Sequence, residues 1–522
     1  GAQQARVHAA AAHSLVARGA GVVEEHVALI AHHAYAGIAA GAASLAYEWT
    51  ARCARLATAR LADEDAAVLW GRAAEAASVA DPVDCRPRLD ALVEQGRVYL
   101  RLDDVIGAIN CLVPAIELAL ETGDDARLEN AVNALDVPGF WRAGEIGGLK
   151  VDIADVLERA IVRLPSPSPV RAVALGSLAD FGYRNRSVAQ TDAASAEAVA
   201  VARATKSLDV LTHALHRRAQ ATWRPKDMSA RREAVAELGR LAEDDRVAGV
   251  LRSYAFFDSA VIAWVDGGVD EADRLLGQAR VVTPSSATFE TQFQFFESAI
   301  ALWRGRLDQA AELADAAHSI YRNTRGWAAE EFHAAFLSST LLEQDRLSDA
   351  IAAAEVLTTG PYARMFSELA VFIMLEAGQY QLAAQTVRPL PPDFDTWMFP
   401  AVMSLAATNR AVLGDIPAAL EAARRLVPLS GQLAAPGPAV AIGTVDQARA
   451  RALWCAGDTA GATEAIDRAI DVLTRAGAGP WLVRGLMLRF EISRRADDRD
   501  QAIELADRLN LPFLRRRLNT LP

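Results

Sequence analysis

Five histidines crowd the start of the sequence, His8, His13, His26, His32 and His33, with Glu24 and Glu25 among them. Two or three imidazoles on one face, with a carboxylate, would hold a divalent transition ion. The plainer reading is a set of helix-surface and interface histidines, and no metal is assigned to them. Acidic neighbours such as Glu330–Glu331 and Asp497–Asp498 are the residue types of general acid–base work. Adjacent residues diverge by about 100° on a helix, so neither pair converges on a substrate. The arginines near the end (Arg494, Arg495, Arg499, Arg508, Arg515, Arg516 and Arg517) would meet phosphate, but Asp497, Asp498, Asp500, Glu504 and Asp507 neutralise much of that charge. Gly144 to Lys150 imitates a phosphate loop without its GxxxxGK[ST] spacing or a preceding strand. GxSxG and HExxH are both missing. Chemistry of the catalytic kind is therefore not expected, nor is a cofactor.

What positions these residues is helical almost throughout. The 522 residues are 52% apolar and 23% charged, with a net charge of −12. An acidic chain repels nucleic acid, which argues against direct DNA binding by this segment. Cys53, Cys85, Cys111 and Cys455 are far apart and form no CxxC, which fits a reduced cytoplasm. No uninterrupted run long enough for a membrane span stands out, and no leader-like start is present, so a cytoplasmic protein is expected. The chain opens Gly-Ala and enters helical sequence at once, so we expect a piece of a longer protein.

Strand alternation is nearly absent. Instead, stretches of 12–16 residues place apolar side chains at i, i+3, i+4 and i+7. A Gly or Asp then recurs at the end of one helix, with an Ala five residues later. Gly267, Gly305, Asp345, Gly378, Gly414, Gly457 and Asp497 follow one another at 38, 40, 33, 36, 43 and 40 residues. Two earlier turns fall near Ala62 and Asp103. Gly closes the first helix because that position needs the left-handed region, Asp being a poorer substitute. The small Ala lies where the paired helices touch. Repetition at this period predicts an all-α superhelical solenoid of antiparallel helix pairs.

The stretch LVEQGRVYLRLDDVIGAINCLVPAIEL resembles a tetratricopeptide repeat, with Gly96, Tyr99 and Ala108 in that family's small, aromatic and small places. Other units match only the turn Gly and the later Ala, and spacings above about 34 residues depart from the strict repeat. The segment HHAYAG…AYEWTARCA…DEDAAVLWGRA is similar to the region following the ATPase module in large actinobacterial signal-transduction (STAND-type) regulators. These include antibiotic-pathway activators (SARP-like), LuxR-type regulators and ATPase-linked adenylate cyclases. The ending LPFLRRRLNTLP carries no helix-turn-helix, which favours the type whose DNA-binding and ATPase modules precede the repeats, a truncated LuxR type staying open. On this resemblance residues 1–50 are a lead-in after an ATPase module, 51–140 and 241–522 are tetratricopeptide-like repeats, and 141–240 are irregular helical repeats. A boundary near Pro165 stays open, and PLSGQLAAPGPAV reads as a longer loop between repeats.

In tetratricopeptide repeats certain first-helix positions face the concave groove. Transferred here, they place Tyr254, Phe257 and Trp264, Gln292, Phe295 and Trp303, and Phe332 and Glu343 in a groove for a peptide or small molecule. Tight coiling that buries these aromatics as core is the competing reading. The resemblance implies a non-catalytic sensor arm that receives a ligand or partner and controls upstream ATPase and DNA-binding modules and their oligomerisation. The alternative is a free-standing scaffold holding peptide segments of partner proteins.

Overall fold

The turns that punctuate the sequence are built as the spacing predicts. In the computed structural model, which describes residues 1–17, 24–136, 152–183, 186–322, 328–360, 362–389 and 394–521, Gly267, Gly305, Gly378, Gly414 and Gly457 all have φ between 78° and 83°. Asp345 occupies the same region at φ 60°. At each, the next residue's N–H reaches back to a carbonyl of the closing turn, as in Gly268 to Ala263, Arg306 to Ala301 and Asp458 to Leu453. This is the Schellman closure, which satisfies carbonyls a helix end leaves open. Asp415 and Asp458 then cap the second helix, accepting from Ala418 and Gly461. The alanines five residues on (Ala272, Ala310, Ala350, Ala383, Ala419, Ala462 and Ala502) are all fully buried.

Two marks shift. The upstream turn falls on Leu61, at φ 58°, rather than Ala62. In the last unit Arg494 takes the left-handed position, and Asp497 sits inside the first turn of Ala496–Arg508. That helix starts earlier than the motif implied, and its acidic first turn suits the helix dipole.

The described residues form an all-α solenoid of antiparallel helix pairs, dividing into two compact units, Gly1–Ala221 and Thr222–Pro522. In the first unit, helices pack through alanine: Ala12, Ala34, Ala46 and Ala76 form one small core, and Ala54, Ala66 and Ala73 surround Trp70 in another. Small side chains let helix axes approach closely. Val105–Thr122 is, among the described residues, the one helix long and apolar enough to cross a membrane. Here it packs on Arg86–Arg101, Asp125–Ala134 and Ile153–Arg163, burying Ile109, Leu112 and Ile116.

The second unit runs in pairs from Gly249–Val265 with Val269–Val282 to Pro480–Ser493 with Ala496–Arg508. First helices of successive pairs stack side by side and make its aromatic interior. PLSGQLAAPGPAV is a loop, but an unusual one: residues 433–448 are buried. Loops normally lie in water because their backbone needs partners. This one finds them. Leu433 donates to the Val265 carbonyl at 2.8 Å, Ala434 to Gly443 at 2.9 Å and Ile442 to Ala434 at 3.1 Å. Gly437, at φ 77°, lets the chain pass against the indole of Trp223. The inner face of this unit is thus filled by its own chain.

Candidate ligand cavity

That filling decides the fate of the expected groove. Tyr254, Phe257, Trp264, Gln292, Phe295, Trp303, Phe332 and Glu343 are each no more than 6% exposed. The aromatics form a ladder from repeat to repeat. Trp264 meets Trp303 edge-on at 5.7 Å between ring centres, Phe295 meets Phe332 at 5.8 Å, and Phe332 meets Phe366 at 5.5 Å. Pro436, Ala439, Val440 and Ile442 close over Phe332, Phe336 and Phe366. Later repeats close over the rest: Trp303 Nε1 donates to the Ala476 carbonyl at 2.9 Å, and Gly479 N–H to the Trp303 carbonyl at 2.8 Å. The competing core reading therefore describes these side chains, and the expectation of exposed concave aromatics is corrected. The reason is tertiary: the helix faces are as the repeat pattern places them, but distant chain covers them.

The same closure leaves a space further along the unit. A cavity of about 330 Å³ lies among Ala363–Glu376, Phe399–Val412, Val445–Cys455 and Pro480–Ser493. Phe372 and Trp481 form an aromatic wall, their centres 5.7 Å apart. Tyr380, Val412 and Met487 add to the lining.

Polar groups reach this space from each of these helices and from Pro512–Thr520. Asn409, fully buried, donates from Nδ2 to the Glu368 carbonyl and to its carboxylate, both at 2.9 Å. That fixes the amide, and its Oδ1 is left without a hydrogen bond. Gln447 is held by a weak 3.4 Å bond from Nε2 to the Trp481 carbonyl, and its Oε1 is also unpaired. So is the hydroxyl of buried Ser404. Buried acceptors without donors are costly, about 1–3 kcal/mol each, and are rare in native interiors.

Charges ring the same space in compensated sets. Arg451 pairs with Glu491 at 2.6 Å. Arg484 lies between Glu343 at 2.5 Å and Glu376 at 3.3 Å, its guanidinium 5.0 Å from the centre of the Trp481 ring. Arg517 also pairs with Glu376. The two carboxylates part company. Burial pushes Glu343 up from the ordinary carboxylate range, helped by neighbouring Glu376 and opposed by Arg484. Burial works on Glu376 as well, but Arg517 and Arg484 outweigh it and hold that group down. Glu343, expected as a groove rim, thus joins the cavity's charge network through Arg484.

The other chemistry-bearing residues separate as the helix period predicts. Glu330 is exposed beside His318 at 3.0 Å, whereas Glu331 is buried. Asp497 is exposed, and Asp498 is buried against Arg489. Arg515, Arg516 and Arg517 are taken up by Asp507, Asp345 and Glu376. Gly144 to Lys150 lies outside the described residues. His8, His32 and His33 do come together, whereas exposed His13 and His26 stand outside the cluster. Burial, then His8 and His32, lower the His33 pKa.

Asn409, Gln447, Trp481, Arg451 and Arg484 were missed by pattern reasoning. A signal existed: single polar residues interrupt apolar helical runs, Asn409 in SLAATNRAV and Arg484 in PWLVRGLML. Such interruptions mark buried polar sites.

No family model matches the chain, and no curated protein matches it. Among solved structures, a "Circular tandem repeat protein with novel repeat topology and enhanced subunit contact surfaces" is 13% identical, over 98% of this chain and 100% of that chain, with a TM-score of 0.19. At that score the likeness carries no argument.

Proposed function

We propose that the chain is a non-catalytic binding arm whose second unit takes up a small molecule in the Trp481 cavity. The observation that carries this is the set of unpaired buried oxygens, on Ser404, Asn409 and Gln447, lining one space with an aromatic wall. Pockets for small molecules are mostly apolar with a few convergent polar groups. Two acceptors and a hydroxyl beside Trp481 suit a flat molecule carrying N–H or O–H donors. The cavity is formed by helices from four successive repeats, so an occupant would tie them together and stiffen the array.

The sequence resemblance supplies the wider setting: a tetratricopeptide sensor arm of an ATP-dependent transcriptional regulator, with ATPase and DNA-binding modules upstream as its partners. Ligand-dependent docking on those modules would bias their oligomerisation. A peptide-holding scaffold is the weaker reading, because the inner face it needs is filled by residues 433–444. The segment itself requires no cofactor in this account.

Thermal shift of the full chain against nucleosides, amino acids and aromatic amides tests the cavity. A true ligand at a hundredfold its Kd stabilises by about 2.7 kcal/mol. Gln447→Met, which removes the acceptor offered to a ligand donor, is expected to weaken that ligand about tenfold to hundredfold. Hits unaffected by both Gln447→Met and Trp481→Ala refute the assignment. Translating the gene upstream of residue 1 tests the setting separately, since a missing P-loop there removes the regulator reading.

A further inference from the structure

The first unit carries a cluster that the cavity reading does not use. Ala2–Ala17 docks on Glu24–Ala36 and the following turn, and its buried residues are three alanines, Ala5, Ala9 and Ala12. Contact is very close at one point: a Cβ on Gly37 would lie 2.7 Å from the Ala9 backbone nitrogen, so this position must be glycine for the helix to seat. Gly37 N–H also bonds the His33 carbonyl at 3.0 Å, which ties that seat to the end of the second helix. The register then places His8, next to Ala9, against His33. Their Nδ1 atoms are 2.8 Å apart. His32 turns its ring edge-on to both, with centres 5.8 Å from His8 and 5.4 Å from His33. One ligating nitrogen from each of the three rings falls within 4.8 Å of the others.

We propose that His8, His32 and His33 form a site for a divalent transition-metal ion, zinc being the probe of choice. Imidazole nitrogen is the donor that zinc, copper and nickel prefer among side chains without sulfur. A tetrahedral zinc with Zn–N of about 2.0–2.1 Å spaces its ligand nitrogens by about 3.4 Å. The His8–His33 pair, at 2.8 Å, is inside that spacing and all three residues offer a nitrogen within 4.8 Å of the others, so rotations of exposed or half-buried rings bring them to it. A hydrogen bond between two imidazoles explains His8 and His33 but gives His32 no part. Adjacent residues on a helix ordinarily point apart, yet the rings of His32 and His33 are 5.4 Å apart on centres and His8, from the other helix, completes a triangle with them at 5.8 and 5.0 Å.

The ion would also do mechanical work. The first helix buries only Ala5, Ala9 and Ala12, and Leu15 and Val16 add half-buried contact with Val27, Ile30, Ala31 and Trp49. A metal bridging His8 to the next helix would clip it down, since an ion that binds the docked form alone stabilises it by mass action. His32 also lines a cavity of about 470 Å³ with Cys53, Asp65 and Arg72, through which water would reach a bound ion.

The test is zinc titration of the chelator-stripped full chain against a chromophoric competitor. One equivalent per chain with Kd below about 1 μM is expected, weakened at least tenfold by His8→Ala and by His33→Ala and unchanged by His13→Ala, a histidine outside the cluster. Zinc should also slow amide exchange across residues 2–17. Zinc-edge X-ray absorption on the unaltered chain counts imidazoles independently of any variant. The proposal is overturned by weaker or non-stoichiometric binding, by retention of zinc in the His8→Ala/His33→Ala double variant, by binding unchanged in His32→Ala, or by fewer than three imidazoles in the spectrum.

Discussion

Replacing Gly437 by alanine tests whether the inner face of the second unit is filled by residues 433–444. A Cβ there would overlap Cζ2 of Trp223 and lie 2.6 Å from Cη2. The indole has little room to retreat, since the Arg231 guanidinium sits 3.8 Å from its ring centre and Trp397 packs 5.6 Å away on centres. Overpacking of this kind costs about 1–3 kcal/mol. The residue also sits at φ 77°, where a side chain adds about 1–2 kcal/mol. The sum is about 2–5 kcal/mol. Gly431 is the internal control: its φ is 86° and no atom lies within 4 Å of a Cβ there, so Gly431→Ala incurs the backbone cost alone. Hydrogen exchange read by mass spectrometry on peptides spanning 430–448 reports the local opening, through the bonded amides of Leu433, Ala434, Ile442 and Val445. Protection should fall by about thirtyfold or more in Gly437→Ala and by clearly less in Gly431→Ala, at 1.4 kcal/mol per tenfold. Equal effects, or fast exchange in the unaltered chain, would refute the filled-face reasoning.

Leu61→Gly should stabilise the first unit, because Leu61 is 78% exposed at φ 58° and gains no packing for its strain. Relief of about 1–2 kcal/mol against a glycine entropy cost of about 0.5–1 leaves a gain of up to about 1.5 kcal/mol, read as a higher urea midpoint; a lower midpoint contradicts the turn assignment. Glu343→Gln should change how stability varies with pH. A carboxyl raised above its unfolded pKa of 4.5 binds more protons folded than unfolded, so its contribution falls as pH rises from there. The unaltered chain minus the variant should therefore lose stability as pH rises from about 4.5 towards neutrality. A flat or rising difference, measured by urea unfolding at each pH, sinks the account of Glu343. Glu376, held down by Arg517 and Arg484, works in the opposite sense and is common to both proteins.

Local rules made much of the fold legible. A left-handed C-terminal position wants glycine, and a tight helix crossing wants alanine. Both demands involve a few neighbouring residues, so Gly267, Gly305, Gly378, Gly414 and Gly457, with their paired alanines, could be placed from spacing alone. The failure at Asp497 is of the same local kind, since an Asp-rich first turn imitates an Asp at the turn itself. The groove was less legible. Repeat positions say which face a side chain points from and not what arrives to cover it. Trp303 is core because Ala476 and Gly479, more than 170 residues later, close on it.

What the sequence determined by itself is the all-helical solenoid, its punctuation and its lack of recognisable catalytic motifs, because those follow from backbone conformations and periods within one repeat. Tertiary structure alone decided three things. It buried the loop at 433–444, gathered Asn409, Gln447 and Arg484 round one cavity, and brought His8 to His32 and His33. Each depends on contact between different elements, adjacent helices for the histidines and distant repeats for the other two, where the geometry is set by how helices stack. No pattern internal to one helix records that stacking.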